Sequence, residues 1–122
     1  MKVGYNEDII KGFAQKTGIT GDPRKFAVNS DNYKKWVQYR CDIVTSFVGE
    51  VYDMVRSIDS DLWLSAALYP DVDTDKARIL QDIRTLSEKD YFDEIFSMSY
   101  NIDNKYVKQN VELYVDLIGG RS

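Results

Sequence analysis

Apolar residues recur at three- and four-residue spacing from about Asn32 to Ser57, which predicts a long amphipathic helix. Its apolar stripe consists of Tyr33, Trp36, Val37, Val44, Phe47, Val48, Val51, Val55 and Ile58. A shorter amphipathic segment precedes it, from a capping Asn6 to Thr17, and Gly18 is expected to end that helix. The polar stretch from 18 to 31 is rich in turn residues and predicts a long loop.

Two later segments predict β-strands. The run Leu62–Tyr69 is apolar on both faces and stops at Pro70, as expected of a strand that helices cover on both sides. Tyr91–Tyr100 predicts a second strand. A single helix from about residue 73 to residue 86 is expected to join the two strands, and a last helix is expected from Asp103 to the Gly119-Gly120 pair.

This order of elements predicts the α/β class with parallel strands. We interpret residues 1–122 as a single segment of a (β/α) TIM-type barrel, with about two clear parallel strands and four helices. A closed barrel of this type needs roughly 250 residues, so the chain corresponds to only part of one. A partial barrel leaves strand edges and apolar faces uncovered, which predicts a homo-oligomer or association with the missing half of the barrel.

Charge and composition limit the partners and the kinds of functional site that this chain can have. The net charge is −4 and the lysines are scattered among acids, so no basic face is predicted and nucleic acid is not an expected partner. The chain has no histidine and a single cysteine, Cys41, which excludes disulfide frameworks, Cys/His zinc sites and Ser-His-Asp triads. No apolar run approaches the roughly 18 residues of a membrane span, so none is predicted.

Acidic residues cluster at Asp71, Asp73 and Asp75, which resembles the start of a calcium-binding loop. The sixth position of that loop requires glycine but is Lys76, and the twelfth is Asp82 in place of glutamate. Helix capping explains this acidic cluster better than calcium binding does. No metal and no cofactor are therefore predicted.

Arg40 interrupts the apolar stripe of the long helix. At roughly 100° per residue, its side chain lies near the middle of the apolar face, so the guanidinium requires a partner. Arg40 could orient a carboxylate of a functional site, or it could form a structural ion pair or extend its charged end to solvent. The structural interpretation is favoured. Cys41, beside the stripe, is expected to be a small buried residue.

The ends of the two predicted strands supply the candidate binding residues Tyr69, Asp71, Tyr100 and Asn101. Parallel strands joined by right-handed crossovers place their carboxyl ends on one rim of the sheet, where β/α folds keep their sites. Tyrosine rings can stack on the apolar faces of sugars, while Asn101 and Asp71 can hydrogen-bond to hydroxyl groups. Tyrosines also bridge core and solvent at strand ends without any binding role, so both interpretations stay open.

Several segments resemble parts of bacterial cell-envelope glycoside-hydrolase-like barrels, a family that includes lipoproteins cleaving peptidoglycan glycan strands stripped of their stem peptides. The similar segments are Gly4–Phe13 with Lys16, Thr17 and Gly18, then Trp36–Arg40, Leu62–Ala67, Gln81 and Asp82, Tyr91–Asp93 and Met98–Tyr100. The likeness covers nearly the whole chain. A family strand ending in an Asp-Tyr-Ile-Arg-Tyr-Pro-like segment has no counterpart before Gly4.

The resemblance implies a parent protein in the cell envelope or outside the cell that acts on a polysaccharide such as a peptidoglycan glycan strand. Glycoside hydrolysis requires two carboxylates about 5 to 10 Å apart, and adjacent Asp93 and Glu94 would point to opposite faces of a strand. No catalytic residues are assigned, and the isolated chain is expected to be inactive. The alternative is a noncatalytic module that binds carbohydrate or another protein and self-associates.

Overall fold

The computed structural model describes residues 4–100 and 103–119. These residues form mainly α-helices, with two short β-strands between them. The elements are α1 (Glu7–Thr17), a 3-10 turn (Pro23–Lys25), α2 (Asp31–Ile58), β1 (Ser65–Leu68), α3 (Val72–Ile79), α4 (Ile83–Lys89), β2 (Glu94–Ser97) and α5 (Asn104–Ile118). Over these two ranges, every helix is too short or too polar to cross a membrane.

Aromatic side chains join α1 to the first half of α2. The Phe13 ring lies edge-on to Trp36 and Tyr39, with centroid distances of 5.2 and 5.6 Å. Gly12 permits this approach, because a Cβ atom there would lie 2.4 Å from the Tyr39 hydroxyl. The predicted end of α1 is confirmed, since Gly18 caps it in the left-handed conformation that glycine adopts without strain.

The two strands form a parallel pair, as the sequence predicted. Ser65 lies opposite Glu94, and Leu68 lies opposite Ser97. Helices α3, α4 and α5 cover one face of the pair, where the buried core consists of Leu68, Val72, Ile83 and Tyr114. Side chains alternate between the faces of a strand, so this register leaves the other face of the sheet to Ser65, Ala67, Glu94 and Phe96, all of which are exposed.

The prediction of an α/β fold built as a partial (β/α) barrel is wrong, because the described residues are mainly helical. Within the described residues the sheet has two strands of four residues each, and helices cover only one of its faces. The run Leu62–Tyr69 was interpreted as a strand buried on both sides, but only Ser65–Leu68 pairs with β2, and the Trp63 side chain before it is 71% exposed. A run of apolar and small residues does not distinguish a strand covered on both faces from one covered on a single face.

The single helix predicted between the strands is two helices, so α-helices number five in the described part of the chain instead of four. Helix α3 ends at Ile79 because Leu80 adopts a left-handed backbone conformation, with φ of 64°. Leu80 is buried against Val37 and Cys41 of α2. Asp82 then caps α4 by accepting a hydrogen bond from the Thr85 N–H group.

The apolar stripe of α2 is buried only in part. Trp36 and Val37 in the first half are buried, whereas Phe47 and Ile58 in the second half are exposed. Met54, which lies on the same face as Phe47 and Ile58, is exposed too. Helical periodicity identified the apolar face correctly, but it does not show how much of that face other elements cover.

Candidate functional site

A cleft of about 410 Å³ lies where β1 and β2 end. Three of the residues that the sequence nominated, Tyr69, Asp71 and Tyr100, line it together. The fourth, Asn101, lies outside the described residues. Asp75 and Arg78 of α3 and Tyr106 of α5 also line the cleft. The parallel pairing places both strand ends at this rim, and the first turns of the following helices lie beside them.

Side chains from one loop and one helix fix the backbone of Tyr69. Its N–H group donates to Gln81 Oε1 at 3.2 Å, and Gln81 Nε2 donates to the Tyr69 carbonyl oxygen at 3.4 Å. The Tyr114 hydroxyl donates to the same carbonyl oxygen. Burial, followed by the nearby Asp75 carboxylate, raises the pKa of Tyr114, so its hydroxyl stays protonated as a donor. The Tyr69 ring therefore projects into the cleft from a fixed backbone.

Arg78 is held beside the Tyr69 ring by a buried carboxylate. Asp75 is only 2% exposed and accepts hydrogen bonds from Arg78 Nε at 3.0 Å and from Nη2. The guanidinium carbon lies 5.3 Å from the centroid of the Tyr69 ring, within the range of a cation–π contact. The hydrogen bonds that Arg78 donates to the Asp75 carboxylate also raise the pKa of Arg78. The cleft therefore presents a permanent, oriented cation beside an aromatic ring.

The carboxylates of the cleft are engaged in structural hydrogen bonds. Asp71 Oδ1 accepts from the Thr74 N–H group at 3.0 Å and caps α3, while its own N–H group donates to Asp75 Oδ2 at 3.1 Å. Asp75 is the buried partner of Arg78. One oxygen of Asp71 is thus used to cap α3, and Asp75 is paired with Arg78, so both carboxylates already have structural partners.

Tyr100 offers the most open aromatic surface at this rim. Its side chain is 90% exposed, whereas one side of the Tyr69 ring faces Arg78. Tyr106 lies in the first turn of α5 and is half-buried. The cleft thus combines an open ring, a partly covered ring and a tyrosine from the following helix.

The sequence did not nominate Arg78 and Tyr106. Tyr106 lies in the first turn of α5, a position that places a side chain at the carboxyl rim and was an available signal, whereas Arg78 lies in the last turn of α3, which gave no such signal. The capping pattern at 71–75 accounted for the acidic residues of α3 but gave no reason to connect Arg78 with Tyr69. Only the packing of α3 beside the strand end brings them together.

Arg40 lies in a different part of the molecule. It is buried, at 6% exposure, as predicted, and its guanidinium carbon lies 4.8 Å from the ring centroids of both Tyr5 and Trp36. Neither of these rings lines the cleft at the strand ends. The position of Arg40 agrees with a structural role in the aromatic cluster, and it does not bring the guanidinium to the candidate site.

A partly buried polar network around Asp82 joins α2 to α3 and α4. Gln38 Nε2 donates to Asp82 Oδ2 at 3.2 Å, Thr85 Oγ1 donates to the same oxygen at 2.9 Å, and Lys76 Nζ lies 3.6 Å from it. Burial alone would raise the pKa of Asp82, but the hydrogen bonds from Gln38 and Thr85 and the Lys76 charge outweigh it and lower the pKa. We assign this network a role in stabilising the fold, because its polar groups satisfy one another's hydrogen-bonding capacity.

Cys41 is fully buried beside this network, as predicted, and its Sγ atom lies 3.5 Å from the Lys76 carbonyl oxygen. Burial, followed by the Asp82 charge, raises its pKa to about 11. A thiol in that state is a poor nucleophile. Within residues 4–100 and 103–119, no cluster of carboxylate or cysteine side chains is arranged to hold a metal ion.

Comparison with known proteins gave no match to a family model, to a curated protein or to a solved structure.

Proposed function

We propose that this domain binds a saccharide chain, without hydrolysing it, in the cleft at the carboxyl ends of β1 and β2. The observation that carries the proposal is the meeting of Tyr69, Tyr100 and Tyr106 around Arg78 in one open cleft. Saccharides present apolar C–H faces and hydroxyl edges, and this combination of rings and donors complements both. The resemblance to envelope glycoside hydrolases suggests a bacterial envelope glycan as the ligand.

Tyr100 is the expected stacking surface, because its ring is almost fully exposed. Arg78 is the expected polar contact. Its hydrogen bonds to Asp75 use Nε and Nη2, which leaves Nη1 to face a sugar hydroxyl. Binding without hydrolysis follows from the engagement of Asp71 as a helix cap and of Asp75 as an ion-pair partner. We expect weak binding, with a Kd of about 1 mM, because few contacts are available in this open cleft.

The proposal is tested by titrating the protein with chitotetraose and following the binding isotherm by NMR. Tyr100→Ala should weaken binding at least about fivefold through loss of the stacking surface. Trp63→Ala is the matched control, since Trp63 is also a highly exposed aromatic residue but does not line this cleft. Equal loss of affinity in both variants would indicate nonspecific contact with exposed rings and would contradict the proposal.

The uncovered face of the sheet favours a second candidate function, self-association with another copy of the chain. Phe96 is 54% exposed and lies beside Ala67, its register partner on β1. A protruding ring therefore neighbours a small side chain on this face. A two-fold axis would place the Phe96 ring of each copy over the Ala67 of the other. Sedimentation at about 50 μM should then show a dimer that Phe96→Glu dissociates; a monomeric wild-type protein would exclude this candidate.

A further inference from the structure

The cleft at the strand ends contains one carboxylate whose charge no ion pair balances. Among the described residues that line this cleft, only Asp71, Asp75 and Arg78 carry a charge at neutral pH. These two carboxylates and one guanidinium give the lining a net charge of −1. Asp75 and Arg78 form an ion pair with each other. The uncompensated negative charge therefore belongs to Asp71.

The two carboxylate oxygens of Asp71 have different roles. Oδ1 accepts from the Thr74 N–H group at 3.0 Å and caps α3. Oδ2 accepts no hydrogen bond from any residue of 4–100 or 103–119, and it keeps a surface that solvent can reach. One oxygen of this carboxylate therefore remains available to a ligand in the cleft.

Asp71, Thr74 and Arg78 share the face of α3 that borders the cleft. Their spacing of three and four residues along the chain places them in one row on the helix. At a rise of about 1.5 Å per residue, Asp71 and Arg78 lie about 10 Å apart along the helix axis. The two side chains can therefore contact different units of one bound saccharide chain.

An ammonium group fits the Asp71 end of this row. It carries a positive charge and three N–H donors. Two acceptors lie next to each other there, Asp71 Oδ2 and the hydroxyl group of the exposed Thr74. A sugar hydroxyl has a single donor and no charge, whereas a hydrogen bond between an ammonium group and a carboxylate is strengthened by both charges. The Asp71 end therefore favours an amine over a hydroxyl.

An acidic sugar fits the same cleft less well. Its carboxylate would have to pair with Arg78, whose charge Asp75 already balances. Binding there would bring a third carboxylate into a cleft that holds two carboxylates and one guanidinium. Like charges repel each other at these distances. The charge of the lining therefore favours cationic saccharides over anionic ones.

We infer that the saccharide bound in this cleft is a hexosamine chain with free amino groups. This inference rests on the proposed saccharide site and names the class of sugar that the site takes. The ammonium group of one sugar unit donates to Asp71 Oδ2 and to the Thr74 hydroxyl. The Tyr100 ring stacks on an adjoining unit, and Arg78 donates to a hydroxyl group of the chain.

The test is an NMR titration of the full chain with the β-linked tetramers of glucosamine, N-acetylglucosamine and glucose. At about pH 5.5 the amino groups of the glucosamine tetramer are charged. This tetramer should bind at least about fivefold more tightly than either neutral one, because only its amines balance the Asp71 charge. Equal affinity for all three tetramers would overturn the inference and leave the saccharide site standing, whereas no binding of any tetramer would overturn both.

Asp71→Asn tests the carboxylate without removing the helix cap. The asparagine oxygen can still accept from the Thr74 N–H group, because Asn and Asp are comparable N-cap residues. The variant should bind chitotetraose within about twofold of the wild-type protein but lose the preference for the glucosamine tetramer.

Asp53→Asn is the matched control for overall charge. It removes one negative charge from an exposed part of α2 that does not line the cleft, so the preference for the glucosamine tetramer should remain. A preference that survives Asp71→Asn would overturn the inference. Equal loss of the preference in both variants would do so too, because the amine would then respond to the net charge of the protein.

Discussion

The side-chain amide of Gln81 pairs with both backbone polar groups of Tyr69, accepting from its N–H group at 3.2 Å and donating to its carbonyl oxygen at 3.4 Å. Tyr69 directly follows β1, so Gln81 occupies the place that a neighbouring strand would take. The Tyr69 ring enters the proposed saccharide cleft from this fixed backbone. We therefore expect Gln81 to affect saccharide binding without touching the ligand.

Gln81→Met removes both hydrogen bonds and should lower the free energy of unfolding by about 1 to 2 kcal/mol. It should also weaken chitotetraose binding, because the Tyr69 ring loses its fixed position. Gln81→Glu is the matched control, since its carboxylate still accepts from the Tyr69 N–H group and should retain more of both properties. Urea unfolding and the saccharide titration measure the two effects; identical behaviour of the two variants would contradict this role.

Replacing Arg40 should separate the aromatic cluster from the binding site. Arg40→Met keeps the apolar packing against Tyr5 and Trp36 and should cost no more than about 2 kcal/mol of stability, whereas Trp36→Ala should cost about 3 to 5 kcal/mol. Chitotetraose affinity should not change in Arg40→Met. A folded Arg40→Met protein with impaired saccharide binding would instead support a site-orienting role for the guanidinium.

Asp82 should make stability depend on pH in the acid range. Its folded-state pKa lies below the ordinary value of 3.8, so its contribution is fully present above that value and is lost as the pH falls through the lower folded-state pKa. The stability difference between the wild-type protein and Asp82→Asn should therefore be constant above about pH 5 and shrink between about pH 5 and pH 2. Asp53→Asn, on an exposed part of α2, controls for the loss of one charge. A constant difference across this range would contradict the assignment.

Cys41 should resist alkylation in the folded protein. The thiol is fully buried and its pKa is raised to about 11 by burial and the Asp82 charge, so neither access nor thiolate is available at pH 8. Iodoacetamide should modify Cys41 only after unfolding, as mass spectrometry would show. Ser57→Cys supplies an exposed thiol on the same helix and should react rapidly. Comparable rates at both positions in the native protein would contradict the buried environment of Cys41.

Hydrophobic periodicity and capping residues predicted the bounds of α2 and the start of α5 well. The stripe and its flanking polar residues predicted a helix over 32–57, and α2 covers Asp31–Ile58. Asp103 was expected to start the last helix, and its carboxylate caps α5 by accepting from the Lys105 and Tyr106 N–H groups. These features depend on residues that lie within one or two turns of each other, which is why the sequence alone determines them.

Features that depend on distant residues were not predictable in the same way. The break after Ile79 requires Leu80 to enter a left-handed conformation while it packs against α2, and nothing in the local sequence indicates that. The barrel prediction failed because Ala67 and Phe96 fit a covered sheet face as well as the open one on which they lie. Tyr69, Asp71 and Tyr100 meet at one rim because the strands are parallel, a property that the order of elements did predict.

The most direct test of saccharide binding is to map amide chemical shifts during a chitotetraose titration of the full chain. The account predicts that perturbations concentrate at Tyr69, Asp71, Arg78, Tyr100 and Tyr106, with a Kd of about 1 mM. Residues at the opposite rim, near Asp61 and Tyr91, should remain unperturbed. Shifts confined to the Asp61 and Tyr91 rim, or no shifts at about 20 mM saccharide, would contradict the assignment of this cleft as a saccharide site.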